Sequence, residues 1–227
     1  MPRIGFIVSI LSCSSDICVI GYPRSGCVWL ARLLGDALDW PVVGFRGGAD
    51  SLAAEGYDRP GPKRVVQSHF RPAFDCEFVH IVRDPRDVAV SAMAYWGWTL
   101  EHAMQVMIEG PGPLDLPPWR KYVETWMQPA LVRYEDLSHG AVGELRWLVG
   151  EMARKTLVSV VQRQSFSVRR AEIERRGDEY PFGKQAQLKH MRRGQVGEWR
   201  RVFTPDMMRW ALDAWGPILQ DLNYERD

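Results

Sequence analysis

The sequence predicts an α/β fold, three layers (α/β/α) around a central, mainly parallel sheet, with a phosphate-binding loop after the first core strand. Three observations predict it. Short β-rich apolar runs alternate with longer stretches of helical spacing, the pattern of a sheet covered by helices. Residues 16–34 read as a strand (Ile17, Cys18, Val19, Ile20), a loop bracketed by Gly21 and Gly26, and a helix carrying Trp29, Leu30, Leu33 and Leu34. Residues 78–91, FVHIVRDPRDVAVS, read as a second buried strand that ends at Arg83, with Asp84-Pro85 as turn and helix start.

The other elements follow in order. Residues 40–45 are a short strand candidate, and residues 44–62, rich in Gly, Asp, Ala and Pro, a long loop. Val65 and Val66 resume apolar character before Ser68-His69. Residues 86–97 form a helix running into the aromatics Tyr95, Trp96 and Trp98, and Thr99 caps the next one. Four prolines and two glycines at 109–118 break that helix, and 119–126 makes another. Residues 130–133 are a third core-strand candidate. Val142, Leu145, Leu148, Val149 and Met152 have helical spacing, 156–162 adds a helix, and 206–222 is a final amphipathic helix. Trp96, Trp98 and Trp119 lie near loops and are candidates for an acceptor pocket.

At 227 residues the chain fits a single domain, 1–227, with 1–15 as an extra strand or flexible leader. Hydrophobic content of 46% and charged content of 25% are ordinary for a soluble protein, and a net charge of +1 gives no global pull toward nucleic acid or membrane. The four cysteines have no metal-ligand or redox spacing and read as reduced thiols in a cytoplasmic protein. Residues 163–201 hold eleven Lys/Arg against five Asp/Glu. As composition this is a solvated basic surface, the reading kept for Arg169, Arg170, Arg175 and Arg176; the RRG motif at 192–194 is what favours Arg192 and Arg193 as a lid over an anionic nucleotide.

The loop is not a nucleoside-triphosphate site. The Walker pattern needs Lys and Ser/Thr after its second glycine, and Cys27 and Val28 stand there. The cation lies inside the loop, at Arg24, where a guanidinium can meet a phosphate or phosphosulfate with paired hydrogen bonds. An ordinary βα turn with an exposed Arg explains the loop alone as well. Arg83 at a strand end and Ser91 two turns into the next helix could converge on one anionic group, and Arg24 and Arg83 would open onto the same crevice at the carboxyl ends of the strands.

GYPRSGCVW and VRDPRDVAVS resemble the 5′-phosphosulfate loop (commonly TYPKSGTTW) and the 3′-phosphate segment (commonly VRNPKDVAVS) of the sulfotransferases that use 3′-phosphoadenosine 5′-phosphosulfate (PAPS). MRRGQVGEWRRVF at 191–203 resembles that family's RKGxxGDWKxxF, and QSHF, WRKYVETW, VRYEDL and QSF are weaker echoes in the correct order. The resemblance implies a single α/β domain with a parallel sheet, PAPS as co-substrate, PAP as product, a small-molecule acceptor and no metal. It implies His69 as general base and Arg24 beside the leaving phosphate, with Ser25, Gly26, Cys27 and Val28 offering backbone N–H groups to the 5′-phosphate. Arg83, Ser91, Arg192, Arg193 and Gly194 would hold the 3′-phosphate, and Trp29, Tyr134 and Phe166 the adenine.

The sequence departs from the family at Cys27 and Val28 for two Thr, at Gln67 for Lys, and at Arg200, Thr204, Pro205 and Arg209 in the segment through which many members dimerise, so that dimer is not expected. The departures at Cys27, Val28 and Gln67 leave open a non-catalytic nucleotide-binding relative; a nucleotide kinase is disfavoured by the missing Gly-Lys-Ser/Thr. Residues 44–62 and 96–118 are expected to shape the acceptor pocket.

Overall fold

The computed structural model describes residues 11–12, 14–44, 63–111, 113–127, 130–179 and 183–225. Five strands, β1 (Asp16–Ile20), β2 (Val42–Gly44), β3 (Val65–Ser68), β4 (Cys76–Val82) and β5 (Leu131–Arg133), form one sheet in the order β2-β3-β1-β4-β5. Every pairing is parallel; Cys18 of β1 lies between Val66 of β3 and Phe78 of β4. The chain runs from β1 to the edge strand β2, returns to β3 beside β1, and then crosses to β4 and β5 on the other side. Such a reversal opens a crevice at the carboxyl ends of the central strands.

The central strand β1 and the carboxyl half of β4 are buried on both faces and read as mainly apolar runs. Alternation then divides them between two cores. Ile17 and Val19 face helices α1 (Cys27–Leu38), α5 (Tyr134–Val149) and α6 (Leu157–Arg163). Cys18 and Ile20 face α2 (Pro85–Trp96), α3 (Leu100–Glu109), α4 (Trp119–Thr125) and the long C-terminal α9 (Pro205–Asp221). The three layers are those the sequence predicts.

The helix signals were accurate where a cap was present. Asp84 accepts from the Arg86 amide at the start of α2, Thr99 from His102 at the start of α3, and Thr204 from Met207 at the start of α9, each in the cap role its side chain favours. Two helices have no counterpart in the sequence reading: α7 (Phe166–Arg176) and α8 (Lys184–His190). Each buries a single residue, Ile173 and Gln187 respectively, so neither carries an apolar stripe. Residues 11, 12, 14 and 15 form no strand; Leu11 is buried and donates its amide to Leu148 O at 3.1 Å. The rest of the proposed leader, and residues 45–62 of the proposed pocket loop, lie outside the described residues.

Trp119 is a correction. It is fully buried, packed edge-to-face on Trp215 at 6.2 Å, and belongs to the core beneath α9. Trp98 stacks on Trp96 at 4.8 Å, and of the two only Trp96 reaches the main cavity.

Gly35 marks where α1 passes the sheet edge. A Cβ there would lie 2.2 Å from Val42 Cγ2 and 3.2 Å from Trp40 O. Helix propensity favours Ala over Gly by about 1 kcal/mol, whereas overpacking a stiff, buried valine costs about 1–3 kcal/mol. Gly35→Ala is therefore expected to destabilise the protein on balance. Urea unfolding should show a lower midpoint at unchanged slope.

Candidate active site

The loop after β1 turns because its own groups close it. The Ser25 amide donates to Tyr22 O at 3.1 Å, Arg24 sits at φ 73°, and Gly26 at φ 98°. Gly26 is required there: a Cβ would meet the Tyr134 ring at 2.8 Å, and its positive φ excludes most side chains. Arg24 has no such excuse, and a non-glycine residue in this region carries strain of about 1–2 kcal/mol. Contacts of its side chain offset that strain. Nε donates to Ser91 Oγ at 3.1 Å, one terminal nitrogen to His190 Nδ1 at 3.2 Å and the other to His190 O at 2.9 Å, and the guanidinium lies 4.5 Å above the Tyr95 ring. Burial, with Arg83 and Arg192 nearby, lowers Arg24 to about 10, against the counter-pull of Tyr95; it stays charged at neutral pH.

Arg83 is brought beside it from the end of β4. Its terminal nitrogens donate to Arg24 O at 3.3 Å and Gln195 O at 2.8 Å, its guanidinium lies 4.4 Å over Tyr134, and Asp87 pairs with it at 3.9 Å. Arg83 Nε is buried with no hydrogen-bond partner. The 191–203 segment folds over both arginines. Tyr134 donates to Gly194 O at 3.0 Å, and a Cβ on Gly194 (φ 62°) would meet Phe166 at 2.9 Å. Trp29 donates to Gln164 O at 2.9 Å and meets Tyr134 edge-to-face at 5.7 Å. Trp29, Tyr134 and Phe166 thus form one aromatic corner around the helix start.

Glu198 gathers Arg192 and Arg193. Both its carboxylate oxygens accept from Arg192, one bond at 3.1 Å and the other shorter, and Arg193 donates to it at 3.1 Å. Burial pushes Glu198 upward, but the bonds and charges of the two arginines outweigh it and hold the carboxyl below its usual value.

His69 stands just past β3 on the opposite wall. Its Nδ1 lies 2.7 Å from Gly21 O, and a carbonyl only accepts, so Nδ1 carries the proton and Nε2 the lone pair. Tyr122 donates to His69 O at 2.9 Å and fixes the backbone there. Burial lowers the His69 pKa; the Gly21 bond opposes this and the Arg24 charge adds to it.

The loop, Arg83, His69 and the 191–194 segment open onto one cavity of about 1010 Å³, as large as the ~300–1,000 Å³ of single-ligand sites allows. It collects His69, Arg24, Gly26, Cys27, Val28, Trp29, Arg83, Ser91, Tyr134, Phe166, Arg192, Arg193 and Gly194. Ser25 is the exception. It is fully buried, its Oγ has no partner, and its amide is committed to the turn, so in this conformation the loop amides free to face an anion begin at Gly26. Cys27 turns its thiol into the core, where burial pushes it up to about 12. Arg169, expected as plain surface, lines the cavity with its side chain 11% exposed. Sequence reasoning missed Arg32, Tyr95, Asp87, Glu198 and His190. Asp87 and Glu198 sit inside quoted motifs, Arg32 lies one turn beyond Trp29, and His190 directly precedes the MRRG run.

Residues 58–216 match the family described as the sulfotransferase domain, and the chain belongs to that family. The matched span contains the Arg83 and Arg192 segments and begins after the Arg24 loop. Among curated proteins, the chain is 23% identical over 238 residues to sulfotransferase 1 family member D1 of Mus musculus, covering 83% of this chain and 78% of that one. It is 25% identical over 250 residues to mouse sulfotransferase 2A6, covering 91% and 83%. Among solved structures, mouse sulfotransferase SULT7A1 complexed with PAP superposes with a TM-score of 0.69 at 20% identity, over 91% of this chain and 85% of that one. Retinol dehydratase in complex with androsterone and inactive cofactor PAP gives 0.61 at 16% identity, over 91% and 81%. These structures share the fold described above.

Because the Glu198 pKa is depressed by folding, its ion pairs stabilise the protein above the unfolded value and lose that contribution as pH falls through the folded one. Glu198→Gln should therefore lower the melting temperature at pH 7 by about 2–4 °C. The gap should close as pH is taken below 4.5, the ordinary value for this group. Paired thermal melts from pH 3 to 8 check it.

Proposed function

We propose that the protein is a PAPS-dependent sulfotransferase that moves a sulfuryl group to a hydroxyl or amine of a small-molecule acceptor, with His69 as general base. The observation that carries this is the His69 tautomer: Nδ1–H is tied to Gly21 O at 2.7 Å, and the ring lines the cavity that holds Arg24 and Arg83. A neutral imidazole with a free Nε2 beside an anion-binding loop has the protonation state a base needs.

The site suits a doubly anionic nucleotide. Arginines outnumber acidic groups along the cavity, Ser25 Oγ and Arg83 Nε are buried without partners, and glycines keep the walls close at positions 26 and 194. Bound PAPS would supply a sulfuryl group already activated on a phosphate leaving group. His69 Nε2 takes the acceptor proton, and the Gly21 carbonyl steadies the imidazolium that results. Arg24 and the amides of Gly26, Cys27 and Val28 meet charge on the 5′-phosphate. Arg83, Ser91, Arg192, Arg193 and Gly194 hold the 3′-phosphate, and Trp29, Tyr134 and Phe166 receive the adenine. Trp96 and Leu114, which also line the cavity, belong to the acceptor side. No step in this scheme requires a metal.

Two further readings go with it. Cys18, Cys27 and Cys76 are free thiols, in keeping with a cytoplasmic protein. Pro205, which lacks a backbone donor, and the positive Arg209 stand where the family's dimer segment commonly has Val and Glu, and they are the ground for an assembly that does not use that segment.

Labelled PAPS incubated with phenols, alcohols, amines and glycosides tests the activity. His69→Ala should cut kcat by about 10²–10⁴-fold while calorimetric PAP affinity stays within about threefold. Arg83→Ala should instead weaken PAP binding by about tenfold or more. Activity surviving in His69→Ala removes the base, and PAP binding with no transfer to any acceptor would support a non-catalytic relative.

The base must be unprotonated to act. With the His69 pKa lowered by burial, kcat should be flat at neutral pH and fall on the acid side, with a midpoint below 6.5. A pH–rate profile from 4.5 to 8.5 reads that limb directly.

A further inference from the structure

The His190–Tyr95 pair has no place in the scheme above, yet it holds the loop cation. An arginine has only N–H donors, so the 3.2 Å contact from Arg24 requires a lone pair on His190 Nδ1. The His190 proton must then sit on Nε2, 3.0 Å from Tyr95 Oη, and that bond runs from imidazole to phenol. The same residue's carbonyl takes the second terminal nitrogen of Arg24 at 2.9 Å, and Ser91 Oγ takes Nε. Three of the five guanidinium N–H groups are thereby fixed, one on each nitrogen, and one N–H on each terminal nitrogen remains for a ligand.

We propose that His190, backed by Tyr95, is a positioning residue for the reaction: its neutral imidazole orients Arg24 toward the leaving phosphate. The proposal rests on the sulfotransferase reading and adds a role to it. Arg24 is held in a strained backbone conformation, and the side-chain contacts that hold it there come from α2 and α8, which meet each other at Tyr95 and His190. Tyr95 also lies under the guanidinium, with ring centroids of Tyr95 and His190 4.7 Å apart, so one tilted pair both stacks against and accepts from the cation. The groups that face His190 are Arg24 from the loop, Arg32 from α1, Tyr95 from α2 and Lys189 from α8 itself. Partial desolvation of the ring and the three cations push the His190 pKa down to about 4, although the residue as a whole stays exposed, and the lone pair is available throughout the neutral range. A lysine in the loop would need no such partner, being a point charge; a planar guanidinium acts only if its plane is set.

The test compares His190→Gln, which keeps an acceptor, with His190→Phe, which keeps the ring and removes it. His190→Phe should lower kcat by about ten- to hundredfold, with PAP affinity by calorimetry within about threefold, and His190→Gln should recover most of the loss. Tyr95→Phe should cost kcat less, and nothing further in the His190→Phe background, since both act through one contact. Wild-type kcat in His190→Phe, or equal loss in both His190 variants, overturns the proposal while leaving the sulfotransferase reading intact. Wild-type protein that binds no PAP and transfers nothing removes the reading and the proposal together. Nitrogen-15 NMR of the unmodified protein at pH 7 decides the matter should a variant fail to fold. His190 protonated on Nε2 supports the proposal, and protonation on Nδ1 overturns it whatever the activity.

Discussion

The cavity depends on the run Arg83-Asp84-Pro85-Arg86-Asp87 at the carboxyl end of β4, which clamps the C-terminal third of the chain to the sheet. Each charged member has a separate attachment. Asp87 accepts from the amides of Gly197 and Trp199 at 2.7 and 3.1 Å, and so sets the segment that carries Arg192, Arg193 and Gly194. Arg86 pairs with Asp84 at 2.8 Å, lies 3.7 Å over the Trp199 ring and donates to Glu225 O at 2.5 Å. Glu135 accepts from the Asp84 amide at 3.1 Å and from Tyr224 at 2.9 Å. Burying so many charges is costly, and they are tolerated because nearly every one has a partner. Burial pushes the Asp87 and Glu135 carboxyls upward, and the bonds from amides and Tyr224 push them back.

That clamp explains how a chain with a net charge of +1 can concentrate arginines at one place. Arg24, Arg83, Arg192 and Arg193 would repel one another in an open loop. Here each is held by a carbonyl, a hydroxyl, an imidazole or Glu198, so their mutual repulsion is contained within the fold before any ligand arrives. An anion entering the cavity meets donors already oriented, which is where a preorganised site gains over water.

The sheet was legible because its central strands β1 and β4 are buried toward their carboxyl ends and read as mainly apolar runs, and the helices were legible where a cap preceded an apolar stripe. Thr99 and Asp84 are cases in point. Helices α7 and α8 were not, since they lie over the cavity as polar covers with one buried residue each. The same physics hid part of the site. Arg24 and Arg83 could be placed together from strand ends alone, because parallel topology dictates it. His190 could not: it comes from a helix with no apolar signature, 166 positions from its partner, and a lone histidine in a basic stretch reads as surface. Trp119 failed in the opposite sense, since nearness to a loop in sequence says nothing about which way a large ring turns, and Trp215 lies at a sequence distance no local pattern spans.

The departures from the family pattern now connect. Cys27 and Val28 remove two hydroxyls from the loop, and Gln67 puts a neutral amide on the cavity wall where the family commonly has a cation. What remains at the loop is one guanidinium and the main-chain amides of a helix start. A guanidinium is a directional group, and its strength as a hydrogen-bond donor depends on alignment more than a lysine's does. A loop that relies on arginine therefore gains from a fixed acceptor behind it, one that the surrounding cations keep neutral. The imidazole of His190 meets both requirements, and no other residue that touches Arg24 does: Ser91 offers a hydroxyl free to rotate, and Tyr95 offers mainly the face of its ring. Arg24 and the histidine that faces it lie 166 positions apart in the sequence, and only the fold brings them together.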